Sequence, residues 1–297
     1  MKCTIPRAPL EAWQVAGTKG ATATYLALMT HNSDRLRPLA GRHNQRLKEL
    51  RLAFKRAELT NRGECALEGT KLIEEALRSG LQLESAFFSE SARPLAEKLL
   101  NQIAQRTETV VLPDPLFKSI VPSETPQGVA ALVKLPEFSV EQMIDRSKNG
   151  PLVVASGLQD PGNLGTIFRS AEAFGGAGVF LTEGTVSPYN WKVLRGSSGS
   201  IFRLPLLQIK SAALISLLKK HGVTLVATSS HHGTSLSKFP WKLPLAIFIG
   251  NEGAGLPREL SCQMDEHVSI PQSSQVESLN AGVAASIVLY EATRDRT

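Results

Sequence analysis

From Pro151 onward the chain repeats one pattern: a short apolar, β-branched run, a loop of glycine and small polar residues, then a helical stretch. The runs fall at Leu152 to Ala155, Gly178 to Leu181, Thr224 to Thr228 and Leu245 to Ile249, and read as buried, central strands. Helices are expected at Asn163 to Phe174, Ser211 to His221 and Leu279 to Thr293. Strands alternating with helices specify an α/β fold with a parallel sheet covered on both faces. In such a sheet a ligand sits beyond the carboxyl ends of the strands, which is where the glycine-rich loops lie.

The preceding half is organised differently. Residues 1–40 show weak periodicity with scattered glycine and proline, and read as an N-terminal extension, partly disordered. Helices are expected at Asn44 to Glu58 and at Glu68 to Ser79, the second stopped by Gly80. Strands at Ser85 to Phe88 and Thr109 to Leu112, with a helix from Pro94 to Ile103 between them, complete a small α/β domain over residues 41–134. Residues 135–150 read as a linker and 151–297 as the second domain.

Charge separates the halves further. Residues 1–62 hold 12 Lys/Arg against 4 Asp/Glu, so although the chain carries +6 overall, everything after them is slightly acidic. Arg35, Arg37, Arg42, Arg46, Lys48, Arg51, Lys55, Arg56 and Arg62 recur densely enough to attract a polyanion such as RNA, and suit a solvated helix face equally well. Cys3, Cys65 and Cys262 lie far apart without paired spacing, so neither a disulfide framework nor a metal site is expected. No apolar run approaches the ~20 residues of a membrane helix, and the start lacks a signal-peptide core. The expectation is a soluble, cytoplasmic protein with no membrane partner.

Three segments carry the chemistry. In the first, Asp160 to Ala171, Asp160-Pro161-Gly162 makes a turn and Asn163 sits where a helix cap belongs. Arg169 follows Gly165 by four residues, so its side chain can lean over a bare position toward the helix start, or pair with Glu172. In the second, Phe248 to Leu256, Gly250, Gly253 and Gly255 surround Glu252 and permit close approach of backbone to a ligand, or simply a turn. No Gly-Lys-Ser/Thr follows, and the Gly-x-Gly-x-x-Gly of an ordinary dinucleotide fold is missing after Ala155. The third, Ile270 to Asn280, leads into a helix that Ser278 can cap, whose first turns (Asn280, Ala281, Gly282, Ala284, Ala285, Ser286) are small-sided.

In this order and spacing the three segments, with Ser278-Leu279-Asn280 and Ile287 to Glu291, resemble the SpoU/TrmH family of RNA ribose 2′-O-methyltransferases, within the SPOUT superfamily. The resemblance is strongest over about residues 151–295. Over about 45–133 it is weaker, where Glu68-Gly69 and the next helix look like the family's ribosomal-protein-like RNA-binding domain. It implies a trefoil-knotted C-terminal domain, a homodimer formed through that domain, and S-adenosyl-L-methionine as cofactor. On the family pattern Gly250, Ile270 and Leu279 match cofactor positions, with Thr228, Ser229 and Gln272 as neighbours. The residue matching Arg169 is often proposed as the base, assisted by Asn163, Glu252, Ser278 and Asn280. An arginine is always protonated, so an electrostatic anchor for the reacting hydroxyl is the preferred role.

One loop departs from the pattern: where the family has Ile-Pro-Met and a glycine two residues later, this chain has Gln272 and Ser274. The function expected is methyl transfer to structured RNA, ribosomal RNA before transfer RNA. The alternative is a non-catalytic RNA-binding or ribosome-assembly protein on the same fold.

Overall fold

The computed structural model describes residues 35–38, 44–230, 232–273, 275 and 278–296. Most of the extension expected over residues 1–40 lies outside them, as do Arg42, Ser274 and Glu277. Within that extension, however, Arg37–Pro38 forms a short strand, β1, and Arg35 donates to the carbonyls of Leu100, Ile103 and Ala104.

The first domain is a five-stranded mixed sheet in the order β1-β4-β3-β5-β2, with β2 at Glu64–Glu68, β3 at Leu83–Ser89, β4 at Glu108–Leu112 and β5 at Val129–Lys134. Helix α1, Gln45–Arg56, is capped by Asn44. Helix α2, Thr70–Arg78, starts after Gly69, whose φ of 95° favours glycine. Helices α3, Arg93–Leu100, and α4, Asp114–Lys118, follow. Not all the basic residues face solvent. Arg46 is buried, donating to both Glu64 carboxylate oxygens at 2.8 Å, to Glu49 at 2.7 Å and to Ser85 at 2.8 Å, so it is a structural ion pair. Lys48, Arg51, Lys55 and Arg56 remain exposed along one face of α1.

Residues 135–150 are not the bare linker the sequence suggests. They contain helix α5, Val140–Arg146, started by a reciprocal capping box between Ser139 and Gln142. Its Met143 and Ile144 are buried against Leu152, Val154 and Phe180, which makes it part of the second domain's core. Too short to show periodicity, it was masked by the surrounding charges.

The second domain is a seven-stranded, all-parallel sheet ordered β10-β12-β9-β11-β6-β7-β8. Its strands are β6 Leu152–Ala155, β7 Gly178–Leu181, β8 Leu206–Gln208, β9 Thr224–Ser229, β10 Thr234–Ser235, β11 Leu245–Ile249 and β12 Glu266–Ser269. Its helices are α6 Pro161–Ala173, α7 Trp191–Ser197, α8 Ser211–Lys220, α9 Arg258–Ser261 and α10 Ala281–Thr293. The central strands β6, β7 and β11 are buried throughout, and β9 at its centre. Val153, Ile247 and Ile249 join one apolar cluster with residues of α6, α7 and α10, while Leu152, Val154 and Phe248 join another with α5 and α8. The first cluster continues into the N-terminal domain through Leu67 and Ile73. No helix among the described residues is long and apolar enough to cross a membrane.

Candidate active site

The strand order brings four loops to one edge. Strand β11 lies between β9 and β6, so the segments leaving β6, β9, β11 and β12 converge at their carboxyl ends. Between the last three lies an open cleft of about 130 Å³. All six residues matched to cofactor positions line it: Thr228, Ser229, Gly250, Ile270, Gln272 and Leu279. Gly250 is obligatory for geometric reasons. A Cβ there would lie 2.3 Å from the carbonyl carbon of Gly255 and 2.4 Å from the nitrogen of Leu256. The turn it permits is closed by reciprocal backbone bonds between Asn251 and Gly255 at 2.9 and 3.0 Å.

Three of the five residues expected to be catalytic form one hydrogen-bonded chain. Glu252 Oε1 accepts from the Asp160 backbone at 2.9 Å and from Asn163 Nδ2 at 3.0 Å, and Oε2 accepts from the Gln159 backbone at 3.2 Å. Asn163 Oδ1 in turn accepts from Asn280 Nδ2 at 2.7 Å. Burial raises the Glu252 pKa, but the bonds from Asp160, Asn163 and Gln159 outweigh it and hold the carboxyl below the usual range. Asn163 is only 5% exposed, so its amide joins the three loops from within.

Two capping roles move. Asp160, not Asn163, caps α6 by accepting from the Gly162 backbone at 2.8 Å, with Pro161 preset for the first turn. Asn163 falls inside the helix, free to bond Glu252 and Asn280. Likewise Asn280, not Ser278, caps α10, accepting from the Val283 backbone at 3.1 Å. Ser278 is exposed and lines the cleft.

Arg169 stands apart. It is exposed on α6 and has no hydrogen-bond or ion-pair partner among the described residues; Glu172, its expected alternative, pairs with Arg203 at 2.5 Å. Gly165 does not serve as a path for Arg169. A Cβ on Gly165 would lie 2.9 Å from Gly196 Cα and 2.9 Å from the Val193 oxygen, so it is there to let α6 and α7 touch. Arg169 emerges between the flank of α6 that meets α7 and the flank that meets α10 through Thr166 and Ser170.

Asn251, to which the motif assigned no role, locks the turn. It donates to the Gly157 carbonyl at 2.9 Å and accepts from the backbone of Gly253 and Ala254 at 3.0 Å. Its position directly after Gly250 was the available signal. Gln272 donates to the Ser230 carbonyl at 3.3 Å, which leaves its Oε1 buried without a hydrogen-bond partner among the described residues. A buried orphan acceptor beside this cleft is complementary to a ligand that brings an N–H or O–H donor.

Residues 150–290 match the SpoU rRNA Methylase family, and residues 44–131 match the MRM3-like substrate binding domain. The chain is 32% identical over 248 residues to the 23S rRNA (guanosine(2553)-2′-O)-methyltransferase RlmP of Bacillus subtilis, covering 83% of this chain and 95% of that one. Among solved structures, it is similar to the SpoU methyltransferase AviRb from Streptomyces viridochromogenes in complex with AdoMet, with 28% identity, a TM-score of 0.75, and coverage of 86% of this chain and 98% of that one. An AdoMet-bound rRNA methyltransferase from Sinorhizobium meliloti matches with 26% identity, a TM-score of 0.75, and coverage of 89% and 99%. The chain belongs to the SpoU/TrmH family of RNA methyltransferases.

Proposed function

We propose that this protein transfers a methyl group from S-adenosyl-L-methionine to a ribose 2′-hydroxyl of structured RNA, ribosomal RNA before transfer RNA, in the cytoplasm. The observation that carries the reading is the bonded chain Glu252–Asn163–Asn280 beside a glycine-lined cleft at the strand ends, in a chain 32% identical to a 23S rRNA guanosine 2′-O-methyltransferase. When bound, the cofactor supplies the electrophilic methyl; the protein's task is to orient the hydroxyl and stabilise it as its proton leaves.

Gly250, Ile270 and Leu279 hold the cofactor, with Thr228, Ser229 and Gln272 beside them. Glu252 is a poor base, because its oxygens are occupied by N–H donors and its pKa is lowered. With Asn163 and Asn280 it acts as a positioning residue that fixes the loops. Arg169 anchors the oxygen as negative charge develops, with Ser278 near the substrate, and the proton passes to RNA phosphate or solvent.

The C-terminal segment is knotted in this reading, and α10 forms a homodimer interface. Val283, Ile287 and Tyr290 make an exposed apolar stripe along α10, Tyr290 being 53% exposed. Ile287→Asp with Tyr290→Asp is expected to yield monomers in analytical ultracentrifugation; unchanged mass would refute that interface. Exposed Lys48, Arg51, Lys55 and Arg56 on α1 offer contacts to RNA phosphate.

Transfer of labelled methyl to RNA tests the whole. Arg169→Lys is expected to lose most activity while keeping cofactor affinity, and near-wild-type turnover would remove any need for the guanidinium. Cofactor binding without RNA-dependent transfer by the wild type would favour the non-catalytic alternative.

A further inference from the structure

A second cleft, of about 410 Å³, opens between the two domains and shares no residue with the cofactor cleft. The first domain contributes Glu68, Lys71 and Ser123 to it, and α7 contributes Trp191 and Arg195. The other side of α7 packs on α6 where Gly196 meets Gly165, so one helix separates this cleft from the turn that carries Asn163. The walls are tied together. Arg203 donates to Glu172 on α6 at 2.5 and 3.0 Å and to Glu75 on α2 at 3.2 Å, and Ser187 donates to the Ala57 carbonyl at 2.5 Å.

The lining combines an aromatic plane, Trp191, whose ring centre lies 5.7 Å from Lys192 Nζ, with Lys71, Arg195 and two carboxylates; Glu75 is taken by Arg78 and Arg203, which leaves half-buried Glu68. Trp191 is half-buried, whereas Arg195 is exposed at the rim. Glu68 accepts from the Ser123 hydroxyl; burial raises its pKa, opposed by the Ser123 bonds and by Arg195. A carboxylate held in such a place gains from further N–H donors. Its two oxygens match a planar partner with two parallel N–H groups. Guanine alone among the RNA bases presents such a pair, N1–H beside N2–H, whereas adenine and cytosine offer one amino group on that edge and uracil one imide N–H.

We propose that the interdomain cleft takes an unpaired guanine of the RNA substrate, stacked on Trp191, with its N1–H and N2–H on Glu68 and adjoining phosphates on Lys71 and Arg195. This rests on RNA being the substrate. It adds a recognition site one helix away from the methyl-transfer site, with the base there distinct from the nucleotide modified.

The test titrates GMP, AMP, CMP and UMP into the full chain with saturating S-adenosyl-L-methionine, which fills the adenosine site, and follows tryptophan fluorescence. GMP is expected to quench and to bind about tenfold tighter than the other three, with the quench lost in Trp191→Phe. Glu68→Gln is expected to reduce the preference about tenfold while cofactor affinity stays at the wild-type value, which shows that the variant is folded. Equal binding of the four nucleotides, or a preference that survives Glu68→Gln, overturns the proposal. Methyl transfer to RNA by the wild type is measured separately: its failure refutes the functional reading, while the nucleotide titration still judges the cleft.

Discussion

Replacing Glu252 by glutamine isolates what the central carboxylate does, because size is kept while charge and one acceptor are lost. In the wild type one oxygen accepts from Asp160 N–H and Asn163 Nδ2, the other from Gln159 N–H and, at 3.4 Å, from Asn251 Nδ2. Glutamine can keep the first pair as neutral bonds of roughly half the strength, but its amide nitrogen then meets the Gln159 and Asn251 donors, so the Gln159 bond and the long Asn251 bond are gone. At a partly exposed site the total is about 2 kcal/mol, equivalent to about a thirtyfold shift toward the open form of the 157–163 segment. Hydrogen exchange reads this directly, since the Gln159 and Asp160 amides are themselves the donors. They should exchange about thirtyfold faster in Glu252→Gln, with little change in strands β6 and β11. The pH dependence gives a second readout. Because the folded-state pKa of Glu252 is lowered from 4.5, its stabilisation is complete above that value and is lost as pH falls through the folded pKa. Protection of the two amides should therefore fall with acid in the wild type and show no such step in the variant. Unchanged exchange in Glu252→Gln would refute the reasoning.

Gly250→Ala would place a Cβ inside the Gly255–Leu256 backbone; we expect a loss of about 1–3 kcal/mol in urea unfolding and a large loss of cofactor affinity by calorimetry. Arg46→Met should cost about 3–5 kcal/mol, because it strands Glu64, which is 1% exposed, and adding Glu64→Gln should recover much of the loss. Gln272→Met removes a buried orphan acceptor: the cofactor-free protein should gain about 1 kcal/mol by thermal unfolding, while cofactor affinity falls several-fold in calorimetry.

Much of the second domain was legible because its central strands are buried on both faces, and continuous apolar runs such as Leu245–Ile249 have few other homes. The convergence of Gly250, Ile270, Leu279, Asn163, Glu252 and Asn280 followed from placing three loops at strand ends. What stayed hidden depended on partners distant in sequence. Gly165 looked like clearance for Arg169, yet its reason is Gly196 on another helix. Arg46 looked like one more basic surface residue, and only the fold supplies the buried Glu64 opposite it. Helix ends failed at single-residue precision, since Asp160 and Asn163, or Ser278 and Asn280, are chemically equivalent caps until the backbone chooses one. The orphan Oε1 of Gln272 depends on the Ser230 carbonyl, 42 residues away.

The insertion of β11 between β6 and β9 also sets the order in which this molecule can assemble. Strand β6 is synthesised early and can pair with β7 at once, but its other edge waits for β11, and the Asn251–Gly157 bond spans 94 residues. Closing so long a loop carries an entropic cost that only the completed sheet offsets. Until it occurs, β6 presents an open apolar edge, a hazard for aggregation during synthesis. In refolding, far-UV signal should therefore recover ahead of cofactor binding, because the cleft is complete only when β11 and β12 have both joined β9.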